Sequence, residues 1–114
     1  MKVLVNDKQN LLSETAITKA KSRAAASFAK FSDHVKAVDI TVEDVNGPRG
    51  GVDKECRILV KLRKLNDVSV TVNQESISKA IPGAIDRAAR SVGRLLQKKF
   101  FQHGRNPSRL GLGS

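Results

Sequence analysis

Apolar residues recur along the chain with two periods, and the switches between them predict six elements. In residues 1–6, Val3 and Val5 alternate with Lys2 and Leu4, the pattern of a short opening strand. Ser13 is placed to cap a helix over residues 14–31, where Ile17, Ala20, Ala24, Phe28 and Phe31 recur at intervals of three and four in one stripe. Lys19, Arg23 and Lys30 fall on the side turned away from that stripe, with Lys21 at its flank. From Val35 the period becomes two, with Val38, Ile40 and Val42 on one side and Asp39, Thr41 and Glu43 on the other. Asn46-Gly47-Pro48-Arg49-Gly50-Gly51 supplies glycines for positive φ and a proline that cannot donate to a ladder, so the chain loops there. A third strand alternates Cys56, Ile58, Val60 and Leu62 with Arg57, Leu59, Lys61 and Arg63, and a short Asn66-Asp67 turn leads into a fourth through Val68, Val70 and Val72. Ser76 is a candidate cap for the last helix, whose stripe is Ile81, Ile85, Ala88, Val92, Leu95 and Leu96. Within it Pro82 removes one hydrogen bond and crowds the carbonyl of Ser78, which predicts a kink or a late start.

Strand, helix, three strands, helix is an α+β order, βαβββα. It predicts a four-stranded, mostly antiparallel sheet, with strands two to four as a meander and both helices packed on one face. The opposite face would show Arg57, Lys61, Arg63, Ser69, Thr71 and Asn73. With 114 residues the chain suffices for one core without disulfides or metal. The expected organisation is one domain over residues 1–103, then a flexible basic tail over 104–114, Gly-rich and with Leu110 and Leu112 isolated.

Charge narrows the function. Lys and Arg number 21 against 11 Asp and Glu, a formal +10, and such an excess favours polyanionic partners. Residues 87–114 hold seven bases and no acid, leaving the first 86 residues a net +3. At 100° per residue Arg87, Arg90, Arg94 and Lys98 form a ridge centred more than a right angle from the apolar stripe. Guanidinium groups grip phosphate oxygens bidentately, so the ridge fits an RNA backbone; the bland alternative is a solvated face. No apolar run reaches membrane-spanning length, and residues 1–10 hold no long apolar stretch before a cleavage site, so neither export nor a membrane partner is expected. The single Cys excludes an internal disulfide and suits a reducing compartment, hence a cytoplasmic location.

Candidate chemistry is sparse. Cys56 shares the inward parity of Ile58 and Val60, as a core residue does. Neither His34 nor His103 has a carboxylate and a serine that complete a catalytic constellation, and no Cys and His set has metal-ligand spacing. No catalytic residue, metal, cofactor or small-molecule substrate is therefore expected. The loop holding Arg49 lacks the Lys-Ser/Thr ending of a nucleotide-binding loop; it reads as a strand connection, with Arg49 a candidate RNA contact. Phe28 and Phe31 belong to the core stripe, whereas of Phe100 and Phe101 one is expected to cover the core edge and the other to stack on a base or lie exposed.

Three segments carry a resemblance to a known family. They are Val42-Glu43-Asp44-Val45-Asn46-Gly47-Pro48-Arg49-Gly50-Gly51-Val52-Asp53-Lys54-Glu55-Cys56-Arg57-Ile58, the pair Ala80-Ile81 followed by Ala84-Ile85-Asp86-Arg87-Ala88-Ala89-Arg90, and Phe28-Ala29-Lys30-Phe31. Together they resemble the ribosome hibernation promoting factor and ribosome-associated translation inhibitor family of bacteria, in its short form, over about residues 3–101. The resemblance implies a βαβββα domain in the small ribosomal subunit, between head and body, where it occludes messenger and transfer RNA and protects idle ribosomes. By helix and face it implies rRNA contacts for Lys19, Arg23, Arg87, Arg90, Arg94 and Lys98, with ribosomal proteins as neighbours; Lys30 and Lys99 are further candidate RNA contacts. Pro82 and Gly83 depart from the strong helix formers expected at the start of that family's last helix. Some members have a second domain that joins two ribosomes; with 114 residues none is expected here, and pairing is expected to need another factor. The free protein is expected to be a monomer.

Other classes make different predictions. A general double-stranded RNA-binding module shares the α-β-β-β-α part of the order and would bind plain duplex as well as subunits. A small acyl or phosphoryl hydrolase would use Arg23 or Arg49 as an anion clamp and lacks a general base. A scaffold for acidic proteins would bind them in a salt-sensitive way without binding ribosomes.

Overall fold

The computed structural model describes residues 1–45 and 54–100, in the order β1 (Lys2–Asn6), α1 (Glu14–Phe28), a 3-10 turn (Ala29–Phe31), β2 (Val35–Asp44), β3 (Lys54–Leu62), β4 (Val68–Gln74) and α2 (Ile77–Phe100). The loop holding Arg49, and Phe101, His103 and the segment 104–114, lie outside the described residues. The four strands form one sheet in sequence order: β1 pairs parallel with β2, and β2–β3 and β3–β4 are antiparallel. A parallel pair needs a crossover, and α1 supplies it. This is the α+β arrangement the periodicity predicts.

Each element has a local cause. Asp7 accepts from the backbone N–H groups of Leu11 and Leu12 at 2.8 and 2.7 Å, fixing the turn before α1, where Asn10 takes a positive φ of 59° that its short polar side chain tolerates. Ser13 then caps α1 by accepting from the N–H of Ala16, and Glu14 complements the helix dipole in the first turn. The Gln9 side chain accepts from the backbone N–H of Asp44 at 2.8 Å, tying this turn to the end of β2. There the cross-strand pair Asp44 and Lys54 closes the β2–β3 ladder with a 3.4 Å ion pair.

Three boundaries differ from the periodicity. The first helix is α-helical only to Phe28 and tightens into the 3-10 turn that ends at Phe31. In β2 the register shifts between Val35 and Ala37, an irregularity that lets Val35 and Val38 both be buried despite opposite parity. The β3–β4 connection is longer than Asn66-Asp67. β3 stops at Leu62, one residue before Arg63, and the positive φ falls on Lys64 at 64°.

α2 does not start late. It begins at Ile77, where the Ser76 carbonyl accepts from the N–H groups of Lys79 and Ala80, while the Ser76 hydroxyl pairs with that of Ser78 at 3.2 Å. Burial of Ile77, Ala80 and Ile81 holds this first turn in place although Pro82 leaves the Ser78 carbonyl without its helical donor. Downstream, Ala84, Ile85, Ala88, Val92 and Leu96 seal the sheet face formed by Val38, Ile40, Val42, Cys56, Ile58, Val60, Leu62, Val70 and Val72. α2 lies over β3 and β4, and α1 lies beside it against β1.

The glycines of α2 differ in what they allow. A Cβ on Gly83 would meet Val72 Cγ1 at 3.8 Å, an ordinary contact, so Gly83→Ala is expected to stabilise the fold by about 0.5–1 kcal/mol and raise Tm by a few degrees in a thermal melt. A Cβ on Gly93 would meet Phe31 Cζ at 3.2 Å, so Gly93→Ala should gain less.

Candidate nucleic-acid interface

Folding sorts the charge by layer. The helices α1 and α2 with the 3-10 turn carry ten bases and two acids, whereas the four strands carry five bases and four acids. The strand charges are largely paired on the open sheet face: Arg57 donates to Glu55 at 2.8 Å and Lys61 lies 3.7 Å from Asp39. The net positive field therefore belongs to the helical layer, the geometry of a surface that attracts a polyanion from one side.

Lys19, Arg23, Lys30, Arg87, Arg90, Arg94, Lys98 and Lys99 are all exposed. The structure divides them among three places. Lys30, Arg90 and Arg94 line a groove of about 420 Å³ between the end of α1 and the middle of α2, with Ser27, Phe31 and Gly93. Lys19 and Arg23 line a second groove, about 580 Å³, whose walls include Leu11, Leu12, Ile77 and Ile81. Arg87, Lys98 and Lys99 stand on α2 outside both. Arg23 reaches across to Asp86, which lines the first groove, with Nη2 and Oδ1 3.8 Å apart. Both side chains are about half exposed, so this pair contributes less than about 1 kcal/mol and acts mainly to orient the two groups.

The sequence reading missed two parts of this surface. Asp86 is the only acid in α2, a signal visible in the sequence once the ridge around it is recognised. Gly93 admits the Phe31 ring between the helices, and the Lys30 ammonium sits 5.3 Å from that ring's centroid, a cation–π contact that holds Lys30 over the groove. Phe28 is fully buried, while Phe31 is only partly so.

Cys56 is fully buried in the sheet. Burial, and secondarily the neighbouring Glu55 carboxylate, push its thiol up to about 12, so it is neutral and unreactive at physiological pH. Among the described residues no group of three or more His, Cys, Asp or Glu is placed to hold a metal ion, and no helix is long and apolar enough to cross a membrane.

Solved structures share this arrangement of a four-stranded sheet under two helices. The Thermus thermophilus Protein Y N-terminal domain matches with a TM-score of 0.63 at 17% identity, over 82% of this chain and 94% of that one. The chain has the Protein Y fold. A ribosomal subunit interface protein from Coxiella burnetii matches with the same TM-score of 0.63 at 10% identity, over 83% of this chain and 97% of that chain. No family model matches the sequence, and no curated protein matches it. In this chain β1 is an integral parallel strand of the sheet, and the basic helices form the layer opposite the charge-balanced sheet face.

Proposed function

We propose that this protein is a non-enzymatic, ribosome-associated factor of the hibernation promoting family. It binds rRNA of the small subunit at the decoding region, excludes messenger and transfer RNA, and shields idle ribosomes. The observation that carries this reading is the segregation of charge, ten bases against two acids on the helical layer and near balance on the strands. A surface of that kind binds phosphates and shape in preference to base sequence. The Protein Y fold, shared with a protein described as a ribosomal subunit interface protein, supports the ribosome as the source of those phosphates. Lys19, Arg23, Lys30, Arg87, Arg90, Arg94, Lys98 and Lys99 are the proposed rRNA contacts, within one domain over residues 1–103 that works in the cytoplasm as a monomer until it docks.

Co-sedimentation with vacant ribosomes and with isolated subunits tests the proposal. Saturable binding to the small subunit is expected, reduced by messenger RNA already in place. The four cations Arg87, Arg90, Arg94 and Lys98, each neutralising a phosphate, contribute about −3 to the slope of log affinity against log salt. No binding at moderate salt, or a slope near zero, overturns it.

A further inference from the structure

The groove between α1 and α2 contains a group that a purely phosphate-binding surface does not need. Asp86 lines it beside Lys30, Arg90 and Arg94, and its negative charge opposes any phosphate drawn to those cations. The contact with Arg23 does not use up the carboxylate, because 3.8 Å is beyond hydrogen-bonding distance and the side chain is about half exposed. An ionised carboxylate only accepts hydrogen bonds, so what suits it is a donor. Along a single RNA strand the donors are base edges and 2′-hydroxyls.

Among the bases guanine alone presents two adjacent donors, N1–H and the N2 amino group, spaced to meet the two oxygens of one carboxylate. Uracil offers a single ring N–H, and adenine and cytosine one amino group each. The rest of the groove suits one such nucleotide. Phe31 and Gly93 give an apolar wall, and the close approach that Gly93 allows holds the end of α1 against α2. Lys30, held over the Phe31 ring, joins Arg90 and Arg94 as phosphate ligands around the same opening.

We propose that this groove is a site for one unpaired guanine nucleotide of an RNA strand, its Watson–Crick edge on Asp86 and its flanking phosphates on Lys30, Arg90 and Arg94. The inference rests on the RNA-binding reading above and adds to it the base and its unpaired state.

Fluorescently labelled UUGUU, UUAUU, UUCUU and UUUUU, titrated with the full chain and with its Asp86→Asn variant, test the site. The wild type should bind UUGUU about tenfold more tightly than the other three, the discrimination typical of one bidentate base contact. In Asp86→Asn that preference should vanish while affinity for UUUUU holds or rises, since a negative charge has left the groove. Equal wild-type affinity for all four, a guanine preference that survives in Asp86→Asn, or equal weakening of all four by the substitution would each overturn the inference. Co-sedimentation of the same preparations separates the two claims. Small-subunit binding with a flat oligonucleotide profile removes the guanine site alone, whereas guanine preference without subunit binding removes the ribosomal reading and upholds the site.

Discussion

Replacing Arg87, Arg90 and Arg94 together with Ala is expected to weaken binding to isolated small subunits about a hundredfold at moderate salt, taking on the order of 1 kcal/mol for each charge-assisted hydrogen bond to phosphate that the substitution removes. The three side chains are exposed on α2 and Ala is the strongest helix former, so the fold should persist and the loss should be one of affinity. The salt slope should become shallower with it, by roughly 2 to 3, since three of the proposed phosphate-neutralising cations are gone. A charge-matched control separates position from net charge. Lys2→Gln, Arg57→Gln and Lys61→Gln remove three cations from the strands, and affinity should then change little, because these cations stand outside the helical layer, with Arg57 hydrogen-bonded to Glu55 and Lys61 near Asp39. Equal weakening in the two triple variants would mean that overall charge alone drives binding, and the helical layer would lose its claim to be the interface.

What the sequence could and could not show follows from what periodicity measures. Alternation places Val38, Ile40 and Val42 on one face, and those residues are buried. It carries no information on strand direction, so the parallel pairing of β1 with β2 is visible only in the sheet. Nor does it survive a register shift, which is why Val35 sits inward against its parity. Turn chemistry pointed to Asn66-Asp67, yet the left-handed residue is Lys64, a position no propensity favours. Pro82 argued for a kink or a late start to α2; the helix starts at Ile77 because the buried residues ahead of the proline outweighed the missing hydrogen bond.

The candidate site shows the same limit more sharply. A helical wheel groups Arg87, Arg90, Arg94 and Lys98 because it describes one helix in isolation. In the fold α1 lies along one flank of that ridge, so Arg90 and Arg94 join Lys30 in a groove while Arg87 and Lys98 stand apart from it. Asp86 looked like the last acid before a basic run, and only the neighbouring helix makes it part of the surface. Charge sign and helix face were thus readable from the chain, whereas the shared groove depends on packing between segments more than fifty residues apart.

That packing depends on Phe28, and Phe28→Ala is expected to destabilise the domain by about 3–5 kcal/mol. The ring is fully buried in the core at the last turn of α1, where the chain tightens into the 3-10 turn before β2, so truncation opens a cavity there. A domain of this size has about 5–15 kcal/mol to lose, so the variant should unfold at much lower urea, with little change in the slope of the transition followed by far-UV circular dichroism. Phe31→Ala, which truncates a ring only partly buried, should cost clearly less. A loss below about 1 kcal/mol for Phe28→Ala would mean that the site collapses around the smaller side chain and that α1 is held by other interactions. The functional consequence is indirect, because α1 and the turn after it carry Lys19, Arg23 and Lys30. Where Phe28→Ala is mostly unfolded, its ribosome binding should track the folded fraction, and excess small subunits should draw the population back to the native state by mass action. In the ridge variant, which stays folded, excess subunits restore occupancy but leave the apparent stability of the domain less improved than in wild type, and this contrast distinguishes a residue that builds the surface from residues that touch the ligand.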